Sequence, residues 1–337
     1  MSANIAIRVD GNSEIGFGHL MRMKALAREF SKLGAEVIFL SRDPENIEGY
    51  RVLQLDRQTG DEEDLLVEEM LIDMQAGMLI IDSYEYTQER LDRVGKLPLL
   101  SVYVDDLNRH PFNTDFVVNG NLYAPSLPYQ GRARFLLGTE YLLMREEFVG
   151  VPLRLPNPDV EHILITFGAA DMENITLEIL HMLKNYKQLQ DLHWHVVIGP
   201  AFRNGAKIEV VAEAYSNVTL HYNPNIKKLM DFCDISISAA GSTTYELAAC
   251  GVPALLIVIA DNQVRLAQEA ERQGIAINMG WYHELEAARL YSALDNLILN
   301  YELRAQMAMH GQKLIDGRGT QRVAAILVDE MRGIKNA

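Results

Sequence analysis

Thiols are almost absent: the 337 residues include two cysteines, Cys233 and Cys250, each in apolar surroundings and neither in a CxxC pair. Neither a disulfide framework nor a zinc site is expected from them. Long apolar runs are also missing. The longest, Val252 to Ala260, falls far short of the ~20 residues that a membrane-spanning helix needs. Positive charge is scarce, with 31 Lys and Arg against 46 Asp and Glu and a net charge of −15. That argues against nucleic acid as a partner and against docking on an anionic membrane, since both need a basic footprint. The N-terminus enters an apolar strand directly, without the basic and apolar regions of a signal peptide, so a cytoplasmic location is expected. The rest is globular in composition and long enough for two domains, with nothing that sets an oligomeric state.

Short apolar runs alternate with helical patterns along the first half. Strands are predicted at Ile5–Val9, Val37–Leu40, Val52–Leu55, Met78–Ile81, Leu99–Val104 and Phe116–Val118. Leu20, Met23, Ala27, Phe30 and Leu33 follow helical spacing and Gly34 stops the helix. Thr59, Asp61, Glu62, Glu63 and Asp64 read as the solvated, acidic start of another helix. Val151-Pro152-Leu153-Arg154-Leu155-Pro156-Asn157-Pro158 reads as an interdomain linker. Beyond it the alternation restarts, with strands at Ile163–Phe167, Trp194–Ile198, Val218–His221, Ile235–Ser238 and Ala254–Ile259, and a helix from Asn174 to about Leu189. The fold class is therefore α/β: two doubly wound parallel-sheet domains, 1–150 and 151–319, with a helix at 320–337 free to pack back on the first. The polar residues after each strand then collect along one sheet edge, where open α/β sheets bind ligands.

The strongest local signal is Asp10-Gly11-Asn12-Ser13-Glu14-Ile15-Gly16-Phe17-Gly18-His19, a glycine-rich turn from strand to helix. It matches neither G-x-G-x-x-G nor Walker A. A histidine at the first turn of a helix faces the positive end of the dipole, which favours a neutral ring able to act as a general base. Asp10 is its expected neighbour or an acceptor for a sugar hydroxyl. Gly168-Ala169-Ala170-Asp171 and Ala240-Gly241-Ser242-Thr243-Thr244-Tyr245-Glu246 are small-residue turns of the kind that present N–H groups to a diphosphate. Ser242 and Thr243 also fit helix capping. Glu246, one helical turn after Ser242, suits a ribose diol. His193 and His195 share a strand face, but a metal would need a further ligand. Asp105 and Asp106 are adjacent on a strand and point to opposite faces, so they make no acid/base couple by themselves. Glycine-rich turns in both domains suggest a ligand held between them.

Together these stretches resemble a known family. Arg8-Val9-Asp10, Ile15-Gly16-Phe17-Gly18-His19-Leu20-Met21-Arg22, Val104-Asp105-Asp106-Leu107, Leu137-Gly138-Thr139-Glu140-Tyr141, Phe167-Gly168, Ala240-Gly241-Ser242-Thr243, Glu246-Leu247, Asn262-Gln263 and Asp316-Gly317-Arg318-Gly319 resemble the UDP-sugar hydrolase of pseudaminic-acid biosynthesis and its spore-coat polysaccharide relatives, within the GT-B fold of nucleotide-sugar glycosyltransferases. The resemblance implies hydrolysis of UDP-2,4-diacetamido-2,4,6-trideoxy-β-L-altropyranose to UDP and free sugar, with no metal and no cofactor. It implies His19 as the base for water, with Gly18, Tyr84 and Asn262 near the sugar. Gly168, Ala240, Gly241, Ser242, Thr243 and Glu246 would hold UDP. The chain departs from the family at Ala169-Ala170-Asp171 and at Ala239-Ala240-Gly241, where a further glycine is usual. A glycosyltransferase with a UDP-sugar donor and a non-catalytic nucleotide-sugar sensor are the alternatives.

Overall fold

The computed structural model describes residues 4–12, 16–56, 60–186 and 189–336. Ser13, Glu14 and Ile15 of the first loop, and Thr59, lie outside the described residues. The chain divides into two compact units, one of Met1–Glu146 with Gly317–Ala337 and one of Glu147–Asp316.

The first unit runs β1 (Asn4–Val9), α1 (Gly18–Lys32), β2 (Glu36–Ser41), β3 (Arg51–Gln54), α2 (Asp61–Asp73), β4 (Ala76–Asp82), α3 (Gln88–Val94), β5 (Leu100–Val104), β6 (Phe116–Asn119) and β7 (Arg134–Leu137). The strands form one seven-stranded sheet in the order β3-β2-β1-β4-β5-β6-β7, parallel throughout. Strands covered on both faces read as near-continuous apolar runs, and β1, β4 and β5 do so. Leu20, Met23, Ala27 and Phe30 line the buried stripe of α1, and Gly34, at φ +82°, ends it in the left-handed region open to glycine. The strand order reverses direction between β1 and β4. The connections leaving the carboxyl ends of these two neighbours diverge, and that opening is where sheets of this kind bind ligands.

The acidic start of α2 is solvated at Asp61 and Glu62, as expected, but not at the two acids that follow. Glu63 and Asp64 are buried and collect guanidinium groups. Glu63 receives Arg8 and Arg90 at 3.2 and 3.1 Å together with Arg42, and Asp64 receives Arg90 and Arg93 at 2.5 and 2.8 Å. Arg8, at 0% exposure, explains the burial: a cation inside a sheet must be matched by carboxylates brought in with it.

The second unit runs β8 (His162–Thr166), α4 (Ile175–Leu183), β9 (His193–Ile198), α5 (Gly205–Ala212), β10 (Val218–Tyr222), α6 (Ile226–Phe232), β11 (Ile235–Ala239), α7 (Thr243–Ala249), β12 (Ala254–Val258), α8 (Val264–Arg272), β13 (Ala276–Trp281), α9 (Ala287–Leu299) and α10 (Tyr301–Leu314). Its six-stranded sheet has the order β10-β9-β8-β11-β12-β13, again parallel. Here the reversal falls between β8 and β11. The proline-rich segment is pinned along this unit: Arg154 donates to the carbonyls of Met230 and Cys233, and Arg304 to those of Asn157 and Pro158.

The last helix, α11 (Gly319–Asn336), belongs to the first unit. Val323, Ala324, Leu327, Val328 and Met331 enter the cluster that contains Ile5, Ile7, Leu26 and Phe30. The Thr320 hydroxyl is bonded to both the N–H and the carbonyl of Met144 at 2.8 Å, which fixes where the helix begins. Among the described residues no helix is long and apolar enough to cross a membrane.

Candidate active site

The first loop is held from several sides. Gly16 N–H donates to the Asn12 carbonyl at 2.9 Å, and Gly16 has φ +86°. The Asn12 amide donates to Asp43 and the Asn46 amide to the Gly11 carbonyl. A methyl on Gly11 would sit 2.7 Å from Leu20 Cβ, so only glycine lets the loop lie this close to α1. Gly18 and His19 are the first two residues of α1. This places His19 at the opening between β1 and β4.

There its Nδ1 lies 2.6 Å from Oδ1 of Asp82, the last residue of β4. The Asp82 side chain is 1% exposed and that of His19 16%. Burial works to raise the Asp82 carboxyl, but Arg22 and His19 more than offset it and hold it well below the usual carboxylate range. An ionised Asp82 cannot donate, so a contact this short requires the proton on Nδ1. In the neutral ring Nε2 then carries the lone pair. Arg22, on the same helix, donates from Nε and Nη2 to Asp82, and from Nη1 and Nη2 to Asp106 beyond the end of β5.

Asp106 also accepts from the Tyr84 hydroxyl at 2.8 Å and the Asn121 amide at 2.9 Å. Burial would raise its carboxyl as well, and Arg22 reverses that and lowers it. The Tyr84 ring stands edge-on to the imidazole, with centroids 4.7 Å apart. Asp105 goes a different way. It accepts from Asn108 N–H and the Tyr129 hydroxyl, and burial raises its carboxyl.

Asp10 is not the residue against His19. It accepts from Ser41 Oγ at 3.2 Å and Arg42 N–H at 2.8 Å, and Arg8 Nη1 lies 2.7 Å away. The arginine inside β1 turns this carboxylate toward β2, and Asp82 takes the place expected for it. Asp82, Arg22 and Asp106 are the residues sequence reasoning did not assign. The i, i+3 spacing of His19 and Arg22 was the available signal; the neighbouring carboxylates depend on the strand order.

In the second unit the small-residue turns after β8 and β11 flank its own reversal point. Gly168 has φ +78°. Asp171 accepts from the N–H groups of Ile175 and Thr176, both at 2.8 Å, so its carboxylate occupies the start of α4. Ala240 is fully buried and its N–H donates to the Ile257 carbonyl at 3.0 Å. It supports the turn from beneath and presents neither side chain nor N–H to a ligand, which corrects the expectation for this residue. Ser242 is exposed and makes no side-chain cap to α7, so its hydroxyl is not used in the way capping would use it. Thr243 opens α7 and Glu246 lies half-buried on its first turn. Asn262 is exposed on the turn Asp261–Gln263, and Gln263 Nε2 comes within 3.7 Å of where a methyl on Gly241 would stand.

The HxH pair has company. His162 Nδ1 lies 3.1 Å from His195 Nε2, and His195 Nδ1 lies 3.0 Å from His221 Nε2, a ring-to-ring chain across β8, β9 and β10. Among the described residues no group of three or more His, Cys, Asp or Glu side chains is arranged to hold a metal ion.

Residues 162–319 match the glycosyltransferase family 28 C-terminal domain. The spore coat polysaccharide biosynthesis protein SpsG of Bacillus subtilis is 25% identical over 97% of this chain and 98% of its own length. The UDP-2,4-diacetamido-2,4,6-trideoxy-β-L-altropyranose hydrolase of Campylobacter jejuni is 25% identical over 81% of this chain and 98% of its own. An uncharacterized Methanocaldococcus jannaschii protein is 26% identical over 77% of this chain, which spans only 56% of that protein. Among solved structures, Acinetobacter baumannii MurG has a TM-score of 0.72 at 13% identity, covering 97% of this chain and 99% of its own. The fold is GT-B, two parallel-sheet α/β domains. The resemblance read from the motifs is met by sequence similarity over most of the chain to the spore-coat protein and the hydrolase.

Proposed function

We propose that the chain acts on a nucleotide sugar and hydrolyses it. The substrate is UDP-2,4-diacetamido-2,4,6-trideoxy-β-L-altropyranose or a close relative, and the products are UDP and the free sugar, for nonulosonic-acid or surface-polysaccharide synthesis. The observation that carries this reading is the 2.6 Å contact between His19 and Asp82, which leaves Nε2 to accept a proton. Water lies on the face of the anomeric carbon opposite UDP. His19 takes its proton as the oxygen attacks, the bond to the diphosphate breaks, and the configuration inverts. The UDP diphosphate is already a good leaving group, so no strong acid is required. Gly168, Gly241, Ser242 and Thr243 are assigned to UDP and Glu246 to the ribose diol; Tyr84 and Asn262 are assigned to the sugar. Similarity to the Campylobacter hydrolase supports water as the acceptor.

The match to a glycosyltransferase family 28 domain favours one second reading, transfer of the sugar to an acceptor other than water. Incubation with UDP-sugars and no acceptor separates the two. UDP and free sugar appearing together establish a hydrolase, whereas release only with an added acceptor overturns that reading for a transferase. Binding without turnover at any acceptor would make the protein a sensor.

A further inference from the structure

We propose that Arg22 is a positioning residue that sets the base and Tyr84 as one unit. The inference rests on His19 being the base. Arg22 is three residues after His19 on α1, so both side chains leave the same helix face. Its guanidinium is gripped on two edges. Nε and Nη2 meet Oδ2 and Oδ1 of Asp82, each at 2.6 Å, and Nη1 and Nη2 meet Oδ1 and Oδ2 of Asp106 at 2.8 and 2.9 Å. Two parallel forks on one planar cation are a geometry that arginine can make and lysine cannot.

The contacts close on themselves. From His19 they pass through Asp82, Arg22 and Asp106 to the Tyr84 hydroxyl, and the Tyr84 ring returns to the imidazole edge-on. Neither carboxylate can turn without releasing the guanidinium, and Tyr84 cannot move without disturbing Asp106. Nη2 also stands 3.0 Å from His19 Nδ1. Both of its protons are directed at carboxylates, so the ring nitrogen beside it must bring its own, and Asp82 Oδ1 is the acceptor in place. Arg22 thereby enforces the tautomer that leaves Nε2 open. It also lets two carboxylates stay ionised at close quarters, where without a cation one would take up a proton. Two carboxylates and one guanidinium sum to a single negative charge beside a ring that becomes positive as water gives up its proton.

Arg22→Lys tests this, because it keeps the charge and removes the forks. Hydrolytic kcat is expected to fall about 100-fold, the scale of a misplaced catalytic group, with UDP affinity unchanged. Long-range nitrogen–proton NMR of the ring should show the Nδ1–H tautomer in the wild type and, in the variant, where Asp82 is no longer held against Nδ1, an average of both tautomers. Asp106→Asn, which removes one fork and leaves the Asp82–His19 contact in place, should move kcat the same way by less, and it carries the test if Arg22→Lys does not fold. A variant that keeps both the tautomer and kcat overturns the proposal. If the wild type hydrolyses no UDP-sugar, the functional reading fails, while the ring spectra still decide the role of Arg22.

Discussion

His19 Nδ1 stands 2.6 Å from Asp82 Oδ1, and that contact decides which nitrogen of the ring is open to chemistry. His19→Ala is expected to lower kcat by about 10²–10⁴, the usual cost of losing a general base, with UDP affinity unchanged. Asp82→Asn keeps the side-chain shape but offers an amide that can donate to Nδ1 and turn the proton to Nε2; kcat should drop by at least about 100-fold. Steady-state kinetics beside UDP titration check both, and full turnover in either variant removes the dyad from the mechanism.

Glu246 is assigned to the ribose. Glu246→Ala should weaken UDP binding by about 10- to 100-fold, the worth of a charged hydrogen-bonding partner, and leave bound-substrate turnover close to normal. Calorimetric titration with UDP decides it, and unchanged affinity ends the assignment.

The histidine row makes the second unit acid-sensitive. Burial first, then His221, His162 and His193, lower the pKa of His195 from 6.5 to about 4; burial lowers that of His221 as well. Once unfolded, these rings take up protons at ordinary pH values, so the unfolded chain binds more protons than the folded one across that interval. Stability is full above the unfolded value of 6.5 and is lost as pH falls toward about 4. Thermal melts across this range should show a steeper acid loss for the wild type than for His195→Gln. Parallel curves would mean that the row does not titrate on unfolding.

Leu327 of α11 is 0% exposed in the core of the first unit. Leu327→Ala should cost about 2–5 kcal/mol, the range for emptying a packed site. Denaturant unfolding should show the loss in the unit that carries His19, with UDP affinity retained.

Much of the fold was legible because its parallel strands are buried on both faces. Val9, Ile81 and Val104 end apolar runs, and the polar residues after them do share one sheet edge. β7 is not legible: four residues starting at an exposed arginine carry little periodic signal. The helix expected from Asn174 to about Leu189 stops at Leu183. Tyr186 turns into the core there and donates to Asp295 at 2.6 Å, a long-range contact that overrides local propensity. The site was legible in part. His19 and Tyr84 meet as neighbours, whereas the exchange of Asp10 for Asp82 follows from Arg8 being buried inside β1. Ala240 is not legible, because a small residue in a turn looks the same in sequence whether its N–H faces solvent or the neighbouring strand.

The placement of α11 has a consequence for synthesis on the ribosome. Val323, Leu327 and Met331 complete the core that α1 shares, yet they are translated after all of Glu147–Asp316. The second unit is one continuous stretch and can fold as it emerges, whereas the first must wait, open along the side of α1, until the second has been made. Domains generally close in the order in which they leave the ribosome; here the helix that bears His19 and Arg22 is the last to be secured. A nascent chain arrested once Asp316 has emerged and before Val323 has would therefore carry a complete second unit and a first unit still lacking α11.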